Sequence, residues 1–461
     1  ACAVMAGFSQ GGGVGLALAN WMTDGDPGFD VWAMDVSRYG DWATMAYTNT
    51  KVRENYSRRF RIRFPNEELP AARPLRTTPV YDRLKERGAV FGASYGLEYA
   101  LWFAPKGMAP VENVTWRRSN AHAPVAAECR VVREAVGMIE TSTFAKYDVG
   151  GPGAAAWLDR ILAGRLPAIG RMSLSPMLNR RGKLIGDFTV ARLGGDDFLV
   201  FGTGHAEAYH MRWFEAHLPP SGVVVRPLGT QLVGFSIAGP RSRELLQRVT
   251  REDVMNNAFP FLSVRRLDIG VIPATVGRIS FTGDLGYEIW VTPDYQRLLF
   301  DLLVEAGADL GLGLFGARAL HSMRLEKSFG NWAREYRPIY GPGEAGLGRF
   351  LNFKKGDFIG RDAALVEKER GGERRLITLV IDEPDADAVG DEAVWHDGKV
   401  VGWVTSGGFG HTVGISIALA YVSTDVAETI DGFEVEIIGE RRVARRAAKP
   451  LFDAEGTRMR S

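Results

Sequence analysis

Two stretches decide the reading of this chain: Met177-Leu-Asn-Arg-Arg-Gly-Lys-Leu-Ile-Gly-Asp187-Phe-Thr-Val190 and Phe281-Thr-Gly-Asp-Leu-Gly-Tyr-Glu288-Ile-Trp290. Each runs through a glycine turn into alternating apolar and polar residues, the period-2 signature of a half-buried strand entered from a tight turn. Each also sets one carboxylate, Asp187 or Glu288, where the strand begins. Along Tyr287-Glu288-Ile289-Trp290-Val291 that period puts Glu288 and Trp290 on one face and Tyr287, Ile289 and Val291 on the other. A glutamate beside a tryptophan can hold a flat heterocycle with adjacent N–H donors, because a carboxylate is a two-point acceptor. The competing readings are a solvent-facing cross-strand charge for Glu288 and a turn-capping aspartate for Asp187.

Composition bounds the rest. With 461 residues, 46% apolar and 24% charged, the chain can bury a large core and should hold two to four domains. A net charge of +1 lacks the basic excess of a nucleic-acid binder. The clusters Arg58-Arg59-Phe-Arg61-Ile-Arg63 and Arg441-Arg442-Val-Ala-Arg445-Arg446 read as solvated faces. The two cysteines, Cys2 and Cys129, carry no metal or redox spacing. His205, His210 and His217 do not converge: on one helix the later two stand about 140 and 120 degrees from the first, so no metal is expected. No apolar run reaches the roughly 18 to 20 residues that cross a bilayer, and the alanine-rich start lacks the basic region of a secretion signal. The expected location is the cytoplasm, or the mitochondrial matrix in a eukaryote, with no membrane partner.

Along the chain, residues 7–30 read as a glycine-rich loop running into a helix that Gly25 and Pro27 stop, a loop able to hold an anionic cofactor edge. Gly11-Gly12-Gly13-Val14-Gly15 has too little chain before it for the strand of a dinucleotide fold. With Ala1 first, the expectation is a fragment, a processed product or the second half of a split enzyme. Asn55 to Pro65 begins an arginine- and proline-rich linker, and Gly88 to Phe103 reads as a structural bridge. Gly151-Pro152-Gly153 introduces a packed amphipathic helix at Ala154–Leu162, and Phe235 to Leu246 repeats the order of strand, Gly-Pro and helix. A charged stretch through Glu373 reads as a linker. The last 85 or so residues alternate over short strands with turns at Asp397-Gly398 and Ser406–Gly410, which predicts a small β-barrel. The fold class is α+β.

Followed by Ala317-Arg-Ala-Leu-His-Ser-Met-Arg324-Leu-Glu326-Lys, the two opening stretches resemble the folate-binding module of the glycine-cleavage aminomethyltransferases. The likeness is to the version fused to dimethylglycine and sarcosine dehydrogenases. It extends into the tail at Val404 to Ala420, and to the start, where residues 7–30 and Asp35-Val-Ser-Arg38-Tyr resemble the end of an amine-oxidising flavoprotein domain. The resemblance implies a multi-lobed aminomethyltransferase-like fold in four parts: a flavin-domain remnant (1–36), a central bridge (37–130), a folate-binding domain (131–366) and a C-terminal β-barrel (367–461). It implies capture of a methyl-derived iminium or formaldehyde, from oxidation of an N-methyl amine, as 5,10-methylenetetrahydrofolate. Asp187 then matches the catalytic aspartate, and Glu288, Arg324, Tyr287 and Trp290 are the candidates to bind tetrahydrofolate. FAD is expected only with the missing N-terminal domain or a flavin-domain partner. Two words depart from the family: Glu98 lies between Leu97 and Tyr99 where Gly-Trp-Glu-Arg is usual, and Glu140-Thr-Ser-Thr143 stands for Asp-x-Ser-His. For Arg324 an ion pair competes with ligand binding. For the whole chain, the alternatives are a stand-alone S- or O-demethylase and a non-catalytic folate-binding subunit.

Overall fold

Residues 8–461 are described by a computed structural model, so Cys2 and Gly7 lie outside the described residues. The chain opens with α1 (Phe8–Asp24), stopped by Gly25 at φ 71°, and continues through α2 (Met45–Ser57) and α3 (Tyr81–Glu86) to a hairpin of β1 (Ala89–Ser94) and β2 (Leu97–Phe103). Gly11, Gly12, Gly13 and Gly15 lie inside α1, so the expected loop ahead of a helix is part of the helix. Its cause is plain in hindsight: no proline interrupts the backbone before Pro27.

The central part follows in the order α4 (His122–Glu134), β3 (Val136–Glu140), β4 (Ala145–Gly150), α5 (Ala154–Ile161), β5 (Arg171–Leu178), β6 (Leu184–Arg192), β7 (Asp197–Gly202), α6 (Glu207–Ala216) and β8 (Val224–Pro227). Next come β9 (Val233–Ala238), α7 (Ser242–Val249), β10 (Val264–Ile269), β11 (Ile272–Gly277), β12 (Gly286–Val291), α8 (Gln296–Ala306), β13 (Leu312–Leu314) and α9 (Ala317–Glu326). These strands form two sheets, ordered β5-β6-β7-β4-β8 and β10-β11-β12-β9-β3-β13. The expected repeat is present, since β4 and β9 are each followed by a Gly-Pro pair that leads into a helix, α5 or α7. At Gly239, φ is 127° and a Cβ would meet the Val132 and Ala135 carbonyls, so only glycine lets the chain turn there.

One face of each sheet is covered by helices. Tyr147, Val149, Phe188 and Val190 pack with Trp157, Ile161 and Phe214 of α5 and α6, while Phe235, Ile237, Tyr287 and Ile289 pack with Leu245, Leu246, Leu299 and Phe300 of α7 and α8. The remaining faces meet each other through Met172, Ala191, Phe201, Val264 and Trp290. Each such fully buried side chain stabilises the fold by about 1.5–3 kcal/mol, enough that a charged residue on these faces needs a reason to be there.

The charged stretch after Asp362 is α10 (Arg361–Arg370) instead of a plain linker, because Ala364 gives it a buried contact. Beyond it, β14 (Arg374–Ile381), β15 (Ala393–His396), β16 (Lys399–Gly410), β17 (Ile415–Ser423), β18 (Phe433–Ile437) and β19 (Glu440–Ala447) close into the expected barrel, followed by α11 (Thr457–Arg460). Among the described residues no helix is long and apolar enough to cross a membrane.

Candidate functional site

Asp187 lies in the regular part of the β5–β6 ladder, opposite Pro176. Beyond it the pairing runs Met177 to Gly186 and then Leu178 to Leu184, a bulge that leaves Ile185 without a partner. Asp187 is therefore inside β6, its fourth residue, and not at the mouth of a strand beginning at Phe188 as its sequence suggests. It shares a face with Thr189, which lies opposite Phe201 of β7, and Phe201 stacks on Trp290 of the other sheet at 4.1 Å between ring centroids and 22° between planes. Two residues before Trp290 on the same face is Glu288, between Gly277 of β11 and Ser236 of β9. One aromatic stack thus joins the two sheets that carry the carboxylates.

Among the described residues neither carboxylate has a side-chain partner. Among the described residues, no side chain hydrogen-bonds or ion-pairs with Glu288, and burial alone pushes its carboxyl up to about 8. Asp187 has only its own backbone N–H; burial pushes it up to about 7, and the negative charge of Glu335 adds to the rise. Each is half-buried, so each keeps some access to solvent and is poorly solvated. An unpaired buried polar group costs about 1–3 kcal/mol, a cost the fold recovers only when donors arrive.

The other expected residues divide. Trp290 is a packed wall: it is 1% exposed, with Phe201 on one side and Met172 close by, and among the described residues its Nε1 has no partner. Tyr287 faces away, into the apolar core against Phe259, as the strand period requires, and it is not brought to Glu288. Arg324 is 2% exposed and committed elsewhere: its guanidinium donates to the Phe329 carbonyl at 3.0 Å and to Glu335 at 3.4 Å, and it lies 3.3 Å from His321 Nδ1. His321 Nε2 in turn lies 2.9 Å from the Gly407 carbonyl of the barrel, and Glu335 accepts from Thr405 at 2.6 Å. Arg324 therefore forms an ion pair with the segment that follows α9, which is itself hydrogen-bonded to the barrel, and bears on Asp187 through Glu335.

Phe201, Glu335 and Tyr336 were not foreseen. Tyr336 is close enough that the Asp187 charge helps raise its phenol. Glu335 and Tyr336 sit in an irregular segment where periodicity says nothing, and Phe201 reads as an ordinary strand residue. Nearby, His205 stacks on Tyr95 at 5.5 Å and lies 5.9 Å from Trp332; burial lowers it to about 4, so its ring is neutral. A separate surface cleft of about 360 Å³ between the β5–β6 turn and α10, lined by Arg181, Lys183, Glu344, Glu367 and Arg374, includes neither carboxylate. Its Lys183 and Glu344 lie 3.5 Å apart, so they already neutralise each other, and the candidate site remains the facing sides of the two sheets. Among the described residues no group of three or more His, Cys, Asp or Glu side chains is placed to hold a metal ion.

Three domain families match this architecture: the GCVT N-terminal domain over residues 80–355, the glycine cleavage T-protein C-terminal barrel domain over 374–453, and the FAD dependent oxidoreductase central domain over 24–78. Mitochondrial dimethylglycine dehydrogenase of Rattus norvegicus is 35% identical over 98% of the chain, and mitochondrial sarcosine dehydrogenase of Homo sapiens is 30% identical over 99%. Those matches take in 53% and 55% of the relatives, so the chain spans about half their length. The glycine cleavage system aminomethyltransferase T of Bartonella henselae has the same fold, with a TM-score of 0.71 and 22% identity over 82% of this chain and 98% of that one.

Proposed function

The chain belongs to the glycine cleavage T-protein family, and on that premise we propose that it transfers a one-carbon unit to tetrahydrofolate in the recess between its two sheets. The donor is the iminium or formaldehyde released by oxidation of an N-methyl amine, and the product is 5,10-methylenetetrahydrofolate. The observation that carries the reading is the pair of carboxylates, Asp187 and Glu288, without side-chain partners among the described residues, on sheets joined by the Phe201–Trp290 stack.

The residues present fit a reduced pterin. Its ring offers adjacent N–H donors, and Glu288 is a two-point acceptor with nothing else to accept. The Phe201–Trp290 stack and Met172 keep water from one end of the recess, which strengthens each polar contact made there. Reduced folate supplies the amine nitrogens that receive the one-carbon unit. Asp187 stabilises the cationic iminium by its charge and accepts the proton that must leave an amine nitrogen. Its carboxyl, raised to about 7, is matched to giving and taking a proton near neutral pH. Burial is the main cause of that rise and the charge of Glu335 adds to it, with Arg324 holding Glu335 in place.

The amine oxidation itself belongs to a flavin domain, attached or separate, as the oxidoreductase central-domain match and the dehydrogenase relatives support. The mitochondrial relatives favour a matrix location if the source is eukaryotic. The test is to titrate the purified chain with tetrahydrofolate and follow formaldehyde capture. Saturable binding with capture faster than the uncatalysed reaction supports the reading, and binding without acceleration leaves a folate-binding subunit in its stead.

A further inference from the structure

Between β3 and β4 the chain crosses from the six-stranded sheet to the five-stranded one through Thr141-Ser142-Thr143-Phe144. Buried hydrogen bonds hold this crossover on both sides. Toward the six-stranded sheet, the Thr141 N–H donates to the Gly234 carbonyl at 2.9 Å, and Gly234 lies opposite Trp290 in the β9–β12 ladder. Toward the five-stranded sheet, Lys146 Nζ donates to the Ser142 carbonyl at 2.9 Å, and Lys146 lies opposite Phe201 in the β4–β7 ladder. Residues opposite one another in a ladder share a face, so Lys146 is on the face that carries Phe201, Thr189 and Asp187. The crossover is thus tied to a ladder neighbour of each ring in the stack that joins the sheets.

Side chains brace the same four residues. The Ser142 hydroxyl donates to Glu140 Oε1 at 2.7 Å, and Gln296 Nε2, from the first residue of α8, donates to that oxygen at 2.8 Å and to Ser142 Oγ at 3.1 Å. Lys146 and Gln296 are completely buried, and Ser142 is 3% exposed. Burial lowers Lys146 to about 8, so its ammonium is held there against a desolvation cost. A methionine of similar reach would fill the space at less cost, whereas a buried donor is directional. A Cβ at Gly204 would collide with the Thr143 carbonyl, so the turn between β7 and α6 leaves the crossover no room to shift. The word Glu140-Thr-Ser-Thr143, which departs from the family's Asp-x-Ser-His, here supplies the carboxylate, the amide and the hydroxyl of this network.

We propose that Lys146 and Ser142, braced by Gln296, are positioning residues that clamp this crossover and so set the separation of the two sheets, and with it the placing of Asp187 against a ligand held by Glu288. The clamp stands on geometry alone; its consequence for rate rests on the proposed reaction. Reacting atoms must meet at about 3–3.5 Å, so a small change in sheet separation is felt in rate more than in binding. The test uses the whole chain and the variants Lys146→Met, which keeps an apolar stem and discards the ammonium, and Ser142→Ala, which removes only a hydroxyl. The first readout is the crystal structure of each folded variant beside that of the unaltered chain. The Phe201–Trp290 centroid separation is expected to lengthen from 4.1 Å by about 0.5 Å or more, a gap that already weakens the contact. The second readout is single-turnover formaldehyde capture at saturating tetrahydrofolate. It is expected to fall about fivefold or more with affinity for tetrahydrofolate within about twofold, a split that lost stability alone would not produce. Should Lys146→Met fail to fold, Ser142→Ala decides. A folded variant in which the stack has not moved overturns the inference, whatever its rate. A lengthened stack with an unchanged rate upholds the clamp and removes the facing sides of the sheets from the chemistry.

Discussion

Gly96-Leu97-Glu98-Tyr99 and Gly286-Tyr287-Glu288-Ile289 are nearly the same word, and each puts a glutamate on a strand of this molecule. Glu98 accepts twice from Arg73, at 2.9 Å from Nε and 2.6 Å from Nη2. Glu288 accepts from no side chain among the described residues, and its carboxyl is raised to about 8. The strand word supplies the carboxylate; the rest of the fold decides whether it is spent on structure or kept for a ligand. Arg73 comes from the segment ahead of the β1–β2 hairpin and locks it, whereas the surroundings of Glu288 are Gly277, Ser236 and an aromatic wall.

The largest expected effect is at the paired glutamate. Glu98→Gln removes the more buried of the two carboxylates paired with Arg73 and leaves it Glu68 at 3.1 Å, so it should cost about 3 kcal/mol of stability by urea denaturation, the low end for breaking a buried pair. Folate affinity should not change. A loss of binding in a still-folded Glu98→Gln protein would erase the distinction drawn between the two glutamates.

Asp187→Asn should act on rate alone, lowering single-turnover formation of 5,10-methylenetetrahydrofolate at saturating folate by roughly a hundredfold, within the 10²–10⁴ that a positioned acid or base contributes. The amide keeps the shape of the side chain and discards its charge and basicity. A reduction of less than tenfold would move the proton transfer to another group.

A smaller, continuous effect separates the glutamates by pH. Glu288 in the free chain keeps its proton up to about pH 8, and accepting two pterin donors calls for the charged form, so binding should release a proton. Affinity should then rise by at most about tenfold per pH unit up to pH 8 and level off above it. For stability the sign is opposite: a carboxyl whose folded value is raised stabilises the fold below the ordinary glutamate range and loses that contribution as pH rises toward 8. Glu288→Gln should therefore melt higher than the unaltered chain at pH 8, while Glu98→Gln melts lower. Thermal melts at pH 5 and pH 8 check both directions.

How much of this could be read in advance follows from the range over which each feature is encoded. The alternation that separates Glu288 and Trp290 from Tyr287 is local, as are the Gly-Pro repeat and the turns of the barrel, and the sequence carried them directly. The bulge at Ile185 depends on the register of β5 against β6, which no single stretch records, so Asp187 looked like a residue at a strand mouth. Arg324 offered no clue to its partner, because Glu335 lies beyond a turn and is itself held by Thr405 of the barrel. The stack of Phe201 on Trp290 joins different sheets, and α10 forms from a charged stretch because one alanine finds a buried contact.

The central claim is that Glu288 is unpaired because it awaits a pterin, and calorimetric titration with tetrahydrofolate tests it most directly. Glu288→Gln replaces one acceptor oxygen with a donor while keeping the side-chain shape, so binding should weaken by about 1.5–3 kcal/mol, the range for hydrogen bonds to charged groups, with the fold intact. Unchanged affinity in the correctly folded variant would contradict the account and leave Glu288 as a buried carboxylate with no ligand to explain it.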